Sequence, residues 1–192
     1  MGGRRPKVLI IAGDAADELE LFYPYYRLRE EGFEVDVAAP SKRDVHTVVH
    51  ERVPGWDTYV EKPGREFRWV SKALSEVNPA EYDAVYIPGG RMPEHVRLHP
   101  DTARILKHFA EAGKIIAAIC HGTQVLASLG LLRGKRATGT VLIKPEVEIA
   151  GGTFVDENVV VDGNTITGKT WRELPDFMRE FMKALRGLAK ER

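Results

Sequence analysis

Ile115-Ile-Ala-Ala-Ile119 is an unbroken apolar run that ends in Cys120-His121-Gly122. A run so short and so uniformly apolar fits a strand buried on both faces, as in a parallel sheet. The residues that follow, Gly122 to Leu129, read as a helix stopped by Gly130. A nucleophilic side chain therefore stands in a tight turn between strand and helix. Ala118 and Gly122 lie two positions to either side of it, and a sharp strand-to-helix turn needs such small neighbours because the flanking backbones nearly touch. The competing reading is a lone cysteine filling a strand end as a small hydrophobe. The immediate His121-Gly122 sequence favours a nucleophile elbow.

Outward from this point the pattern repeats. Lys7–Ala12 is a second buried strand, Phe33–Ala39 alternates, and Tyr82–Ile87 runs into Pro88-Gly89-Gly90. Helical spacing covers Asp17–Glu31, Asp101–Ala112 and Leu174–Leu188, with a helical piece near Pro145–Ala150. Pro24 is expected to kink or shorten the first of these helices. Thr153–Val155, Val159–Val161 and Thr165–Thr167 read as short strands, with Asp162-Gly163-Asn164 as a hairpin turn. Between Pro40 and Glu81 periodicity is poor, and Pro54-Gly55 and Pro63-Gly64 signal turns. A small β excursion over Val48–Val53 and Thr58–Glu61 is expected there, followed by a helical stretch near Trp69–Val77. Strands alternating with helices imply an α/β fold: a doubly wound, mostly parallel, flavodoxin-like sheet sandwiched by helices, with residues 1–192 as one domain.

Composition narrows the function. Of 192 residues 43% are hydrophobic and 29% charged, enough for a sizeable core. Lys+Arg and Asp+Glu number 28 each, so no global field draws nucleic acid. The basic pockets Arg4-Arg5 and Arg133–Arg136 are short. No apolar run approaches the ~18 residues of a membrane span. The run behind the basic start, Val8–Ala12, is too short for a signal segment, so the expected location is cytoplasmic. The single cysteine excludes an internal disulfide and a cysteine-rich metal site. His95 and His99 stand four apart near Glu94, but Pro93 and Pro100 bracket them, and no metal is expected. Without a GxGxxG or Walker-type loop, no nucleotide cofactor is implied.

In open sheets of this class ligands bind beyond the carboxyl ends of the strands. The helix after Cys120 should aim its N-terminal dipole at the sulfur and favour a thiolate at neutral pH. Gly89 and Gly90 let the backbone approach a ligand, and N–H groups of Gly90 and His121 could share an oxyanion hole. Glu20 lies among Leu19, Leu21 and Phe22. It is either one more dipole partner beside Asp17 and Glu18, or a carboxyl of raised pKa suited to acid–base work.

Ile87-Pro-Gly-Gly-Arg91-Met-Pro-Glu94 and Ala117-Ala-Ile-Cys-His-Gly122 together resemble the ThiJ/PfpI superfamily, a branch of the class I glutamine-amidotransferase-like folds. Tyr23-Pro24 and Val161–Asn164 fit as well, and Thr58–Phe67 is similar to the branch with glyoxalase III-like and PfpI-type members. The resemblance implies Cys120 as nucleophile, Glu20 hydrogen-bonded to its sulfur, and His121 as the adjacent imidazole. Glu94 would reach the site of a neighbouring subunit, which implies a homodimer or hexamer. Thr140-Val141 stands where many relatives carry Tyr-Pro on the rim, so Thr140 should shape substrate binding. No histidine follows His121, so the His-x-Glu pair of true glutamine amidotransferases is absent.

The leading expectation is a cofactor-free enzyme of stress protection, acting on small α-oxoaldehydes such as methylglyoxal or on their protein adducts. A PfpI-type peptidase acting on unfolded protein is the second, although a histidine directly beside the nucleophile looks poorly placed to reach it. A non-enzymatic redox sensor through Cys120 is the third.

Overall fold

The computed structural model describes residues 5–190; Met1–Arg4, which include part of the basic start, and Glu191–Arg192 lie outside the described residues. The strands are β1 (Lys7–Ile11), β2 (Glu34–Ala39), β3 (Val45–Arg52), β4 (Tyr59–Phe67), β5 (Lys72–Ala73), β6 (Ala84–Ile87), β7 (Ile115–Ile119), β8 (Arg136–Ala137), β9 (Thr153–Phe154), β10 (Val159–Asp162) and β11 (Thr165–Gly168). The helices are α1 (Glu18–Glu30), α2 (Met92–Val96), α3 (Pro100–Glu111), α4 (Gly122–Ser128), α5 (Lys144–Ile149) and α6 (Leu174–Lys190). Seven strands form one sheet in the order β10-β11-β7-β6-β1-β2-β5, in which only the β10–β11 pair is antiparallel. This is the mostly parallel, helix-flanked sheet that the alternation predicts.

The apolar runs become the middle of the sheet because both of their faces are covered. Val8 to Ile11, Ala84 to Ile87 and Ile115 to Ile119 are buried throughout. Phe177 and Phe181 of α6 pack near the Tyr86 ring, while α3 contributes Ile105, Leu106 and Phe109 to the same core. Burying each such side chain stabilises by about 1.5–3 kcal/mol. The carboxyl ends of β1, β6 and β7 then converge on one edge, with Asp17, Gly89 and Cys120 just beyond them.

Four local expectations are corrected. First, α1 runs through Pro24 without a break. Proline cannot donate to the carbonyl four residues back, here that of Glu20, but the Tyr86 hydroxyl donates to that oxygen at 2.6 Å. Second, the excursion is a longer antiparallel hairpin, β3–β4, and Pro63 lies inside β4 instead of in a turn. A two-stranded ribbon has free edges and a register shift between His46 and Val48, both of which accommodate a proline. Third, Trp69–Val77 is not helical: β5 pairs with β2, a single 3₁₀ turn spans Leu74–Glu76, and Trp69 stacks on Tyr25 with ring centroids 5.6 Å apart. Fourth, the segment after Gly90 forms one turn of helix, α2, which no periodicity announced.

Candidate active site

Cys120 leaves β7 with φ 57°, one of only two non-glycine residues with positive φ among the described residues. A side chain in this region is strained and persists only where the surroundings hold it. Here the Cys120 N–H donates to Gly168 of β11 at 2.9 Å. Close approach enforces small neighbours. A Cβ on Gly122 would stand 2.4 Å from the Ile87 carbonyl oxygen, and one on Gly139 would stand 2.8 Å from that of Cys120. The small residues read as an elbow are small for this reason.

The turn swings the thiol back over its own successor. Cys120 Sγ lies 3.5 Å from His121 Nδ1, so adjacency in sequence does not keep the imidazole from the sulfur. Burial lowers the pKa of His121, and the charge of His50 lowers it further, with Glu94 and Glu146 acting weakly against them. This favours the neutral imidazole, the form able to accept a proton.

Glu20 is fully buried on the first turn of α1. Its Oε2 accepts the Gly89 N–H at 2.7 Å, and the carboxyl also interacts with the Cys120 thiol and the Trp171 main chain. Burial pushes its carboxyl well up, and the charge of Asp17 adds to the rise. The dipole role falls to others: Asp17 caps the helix, accepting from the N–H groups of Leu19 and Glu20.

The expected low thiol pKa is not what the environment provides. Burial raises the Cys120 thiol well above its ordinary value, and a negative Glu20 raises it further, outweighing the lowering by the His121 main chain. Cys120 and Glu20 thus resist being ionised together.

The Gly89 backbone, expected to approach a ligand, is engaged within the protein instead. Its N–H is committed to Glu20 and its carbonyl accepts from Asp17 N–H at 3.2 Å. A Cβ there would lie 2.5 Å from Glu20 Oε2 and 2.7 Å from Cys120 Cβ. Gly89 therefore positions Glu20. The bridge between Ala16 and Gly90 is closed by the N–H groups of Asp17 and Arg91, which leaves the Gly90 N–H outside the pairing.

Cys120, His121 and Thr140 line a cleft of about 270 Å³, together with residues the sequence reading did not single out: Tyr59, His50 and Trp171. The β3–β4 hairpin supplies Tyr59 and His50. The two rings lie 4.4 Å apart, and Tyr59 lies 6.2 Å from the His121 ring. His50 is held at both nitrogens, Nδ1 3.2 Å from Asp17 and Nε2 3.1 Å from Glu61. Burial would lower its pKa, but these carboxylates outweigh it and raise it. No local signal distinguished His50 from His46; the bulge in β3 decides which faces Asp17.

Glu94 does not join the thiol. Its side chain is half exposed on α2 and lies 3.7 Å from Arg91 Nε, with Arg91 also 3.6 Å from Glu61. Among the described residues no cluster of His, Cys, Asp or Glu is arranged to hold a metal ion, and no helix is long and apolar enough to cross a membrane.

Known proteins resemble this chain over nearly its whole length. A deglycase of Thermococcus kodakarensis is 42% identical over 94% of this chain and 99% of its own length. The deglycase PfpI of Pyrococcus furiosus is 38% identical over the same shares. A crystal structure of a two-domain protein from Anabaena variabilis, with DJ-1/ThiJ/PfpI-like and ferritin-like domains, superposes with a TM-score of 0.79 at 34% identity. That match covers 94% of this chain and 48% of the other, so the chain spans about half of that protein. The DJ-1/PfpI family profile matches residues 6–184. With the profile spanning nearly the whole chain and relatives matched over nearly their full length, the chain belongs to the DJ-1/PfpI family.

Proposed function

We propose that this protein is a cofactor-independent deglycase and glyoxalase III-type enzyme that acts on α-oxoaldehydes, such as methylglyoxal, and on their adducts. The observation that carries the reading is the Cys120 elbow, with its sulfur 3.5 Å from His121 and the buried carboxyl of Glu20 beside it. Relatives named deglycases match it over nearly their whole length.

The chemistry follows from the two raised pKa values. The thiol keeps its proton until a carbonyl arrives. As the S–C bond forms, Glu20 or His121 takes the thiol proton. N–H groups of His121 and Gly90 receive the developing oxyanion, which is then protonated to a hemithioacetal. The same groups move a proton from the aldehyde carbon to its neighbour through an enediol. The product is a thioester on Cys120, and water hydrolyses it to lactate and free thiol. With an adduct, release of the amine or thiol regenerates the aldehyde that enters this sequence.

Glu94 has no partner at Cys120 within its own chain, and we infer that it serves the site of a neighbouring subunit in a homo-oligomer. A nucleophile that must stay reduced suits the cytoplasm. The contact between Sγ and Nδ1 also suits a cysteine peptidase, so one comparison is made on both. Wild type and Cys120→Ser are assayed for lactate from methylglyoxal and for cleavage of an unfolded protein. Lactate formation lost on substitution is the expected result. Cleavage without lactate overturns it.

A further inference from the structure

Two cavities share a wall beside the nucleophile. The Cys120 cleft and a neighbouring cavity of about 470 Å³ are both lined by His50, Glu51, Arg52, Trp171 and Arg172. Ligand sites commonly occupy about 300–1,000 Å³, and the two spaces together exceed the needs of a three-carbon oxoaldehyde. The remaining space fits a larger carrier molecule on which the reacting carbonyl is borne.

On that wall two guanidiniums stand with one carboxylate, Glu51, which is paired with Lys62. Arg52 ends β3 and Arg172 stands in the 3₁₀ turn after β11, so separate parts of the chain bring both guanidiniums there. The carboxylates around them are already engaged. Asp17 caps α1 and binds His50, Glu18 binds Arg65 at 2.5 Å, Glu51 binds Lys62 at 2.5 Å, and Glu173 accepts from Thr170 at 2.6 Å. Lys169, on the same cleft, is held by Asp156 at 2.5 Å. Among the described residues neither Arg52 nor Arg172 has a carboxylate at ion-pair distance; the Arg172 guanidinium lies 5.1 Å over the Trp171 ring. Solvated arginines are common on surfaces, but this pair lines both the cleft of a nucleophile and the cavity beside it.

We propose that Arg52 and Arg172 form an anion subsite of the Cys120 cleft, and that the substrate carries a carboxylate or phosphate remote from its reacting carbonyl. The inference rests on the reading of Cys120 as a carbonyl-directed nucleophile. Guanidinium suits either anion, because its planar fork of N–H donors matches both geometries. Binding would hold the anionic end against the shared wall while the adduct releases its aldehyde beside Sγ.

The test varies only the charge of the carrier. Methylglyoxal hemithioacetals of N-acetylcysteine, an anion, and of N-acetylcysteine amide, which is neutral, present the same reacting head. Two exposed cation–anion contacts give an expected preference of about tenfold in KM for the anion, weakening with added salt. In the Arg52→Gln, Arg172→Gln double variant the KM ratio should fall to near one, and the Lys, Lys variant should keep part of it. Equal KM values in wild type, or a ratio indifferent to the Gln substitutions, overturns the subsite.

Absence of Cys120-dependent turnover on both adducts would sink the functional reading instead. Calorimetry on Cys120→Ser then decides the subsite independently, with inorganic pyrophosphate and N-acetylglycine as probes. Saturable binding that the Gln, Gln substitutions abolish supports it, and the tighter probe identifies phosphate or carboxylate. Failure of both probes to saturate, or binding unchanged by the substitutions, overturns it.

Discussion

The Tyr86 hydroxyl donates to the main-chain carbonyl of Glu20 at 2.6 Å, taking the place of the N–H that Pro24 lacks. A helix interior proline normally leaves such a carbonyl bare, and a bare buried carbonyl costs about 1–3 kcal/mol. Tyr86 thereby lets α1 pass through Pro24 and anchors the turn that carries Glu20. Tyr86→Phe should lose that amount in denaturant unfolding. In a Pro24→Ala background, where an N–H can reach the carbonyl, the loss should shrink by about 1 kcal/mol. An unchanged loss would show that Tyr86 acts through packing alone.

Gly89 has no room for a side chain. A methyl group there would press on both Glu20 Oε2 and Cys120 Cβ, the atoms 2.5 and 2.7 Å away. Gly89→Ala is expected to cost about 1–3 kcal/mol of stability through overpacking and to lose most Cys120-dependent turnover. Full activity in a folded Gly89→Ala protein would contradict the assigned packing.

The Cys120 thiol should titrate above the ~8.5 of a free cysteine, because burial and then the charge of Glu20 raise it. The rate of alkylation by iodoacetamide, followed against pH, should inflect above that value in wild type. Glu20→Gln removes the neighbouring charge, so its inflection should move to lower pH even as turnover falls. An inflection that stays in place would leave Glu20 without electrostatic influence on the sulfur.

His50 links stability to pH. Although burial opposes it, the carboxylates of Asp17 and Glu61 raise its pKa in the folded protein. A raised value means that the folded state holds the proton more tightly. The stabilisation is therefore complete below the unfolded value of ~6.5 and is lost as pH rises through the folded one. The difference in unfolding free energy between wild type and His50→Asn should shrink steadily above pH ~6.5. A pH-independent difference would mean that His50 is neutral.

Subunit mixing tests the inferred role of Glu94. Cys120→Ser and Glu94→Ala protomers are unfolded, combined and refolded together. If Glu94 acts in trans, half of randomly formed dimers are mixed and each has one intact site, giving about a quarter of wild-type activity. No recovery would place Glu94 in cis, and a fully active Glu94→Ala protein would remove it from the reaction.

How far the sequence alone reached follows from the range of the forces involved. The buried strands, the elbow at Cys120 and the helices α3 and α6 were legible because each is written in neighbouring residues: an apolar run, a small–Cys–His–Gly turn, a 3.6-residue period. The resemblance carried by the Pro-Gly-Gly-Arg and Cys-His segments is likewise local. What tertiary structure decided is whatever depends on partners distant in sequence. Pro24 reads as a helix breaker until Tyr86, 62 positions on by their residue numbers, supplies the missing donor. Gly89 reads as a point of backbone approach to a ligand until Glu20 claims its N–H. The helix dipole argues for a thiolate until the burial of Cys120 beside Glu20 is known. His50, Tyr59, Arg52 and Arg172 gain meaning only when the hairpin and the turn after β11 fold over the nucleophile. Backbone conformation answers to adjacent residues, whereas protonation and hydrogen-bond partners answer to whatever the fold brings within a few ångströms.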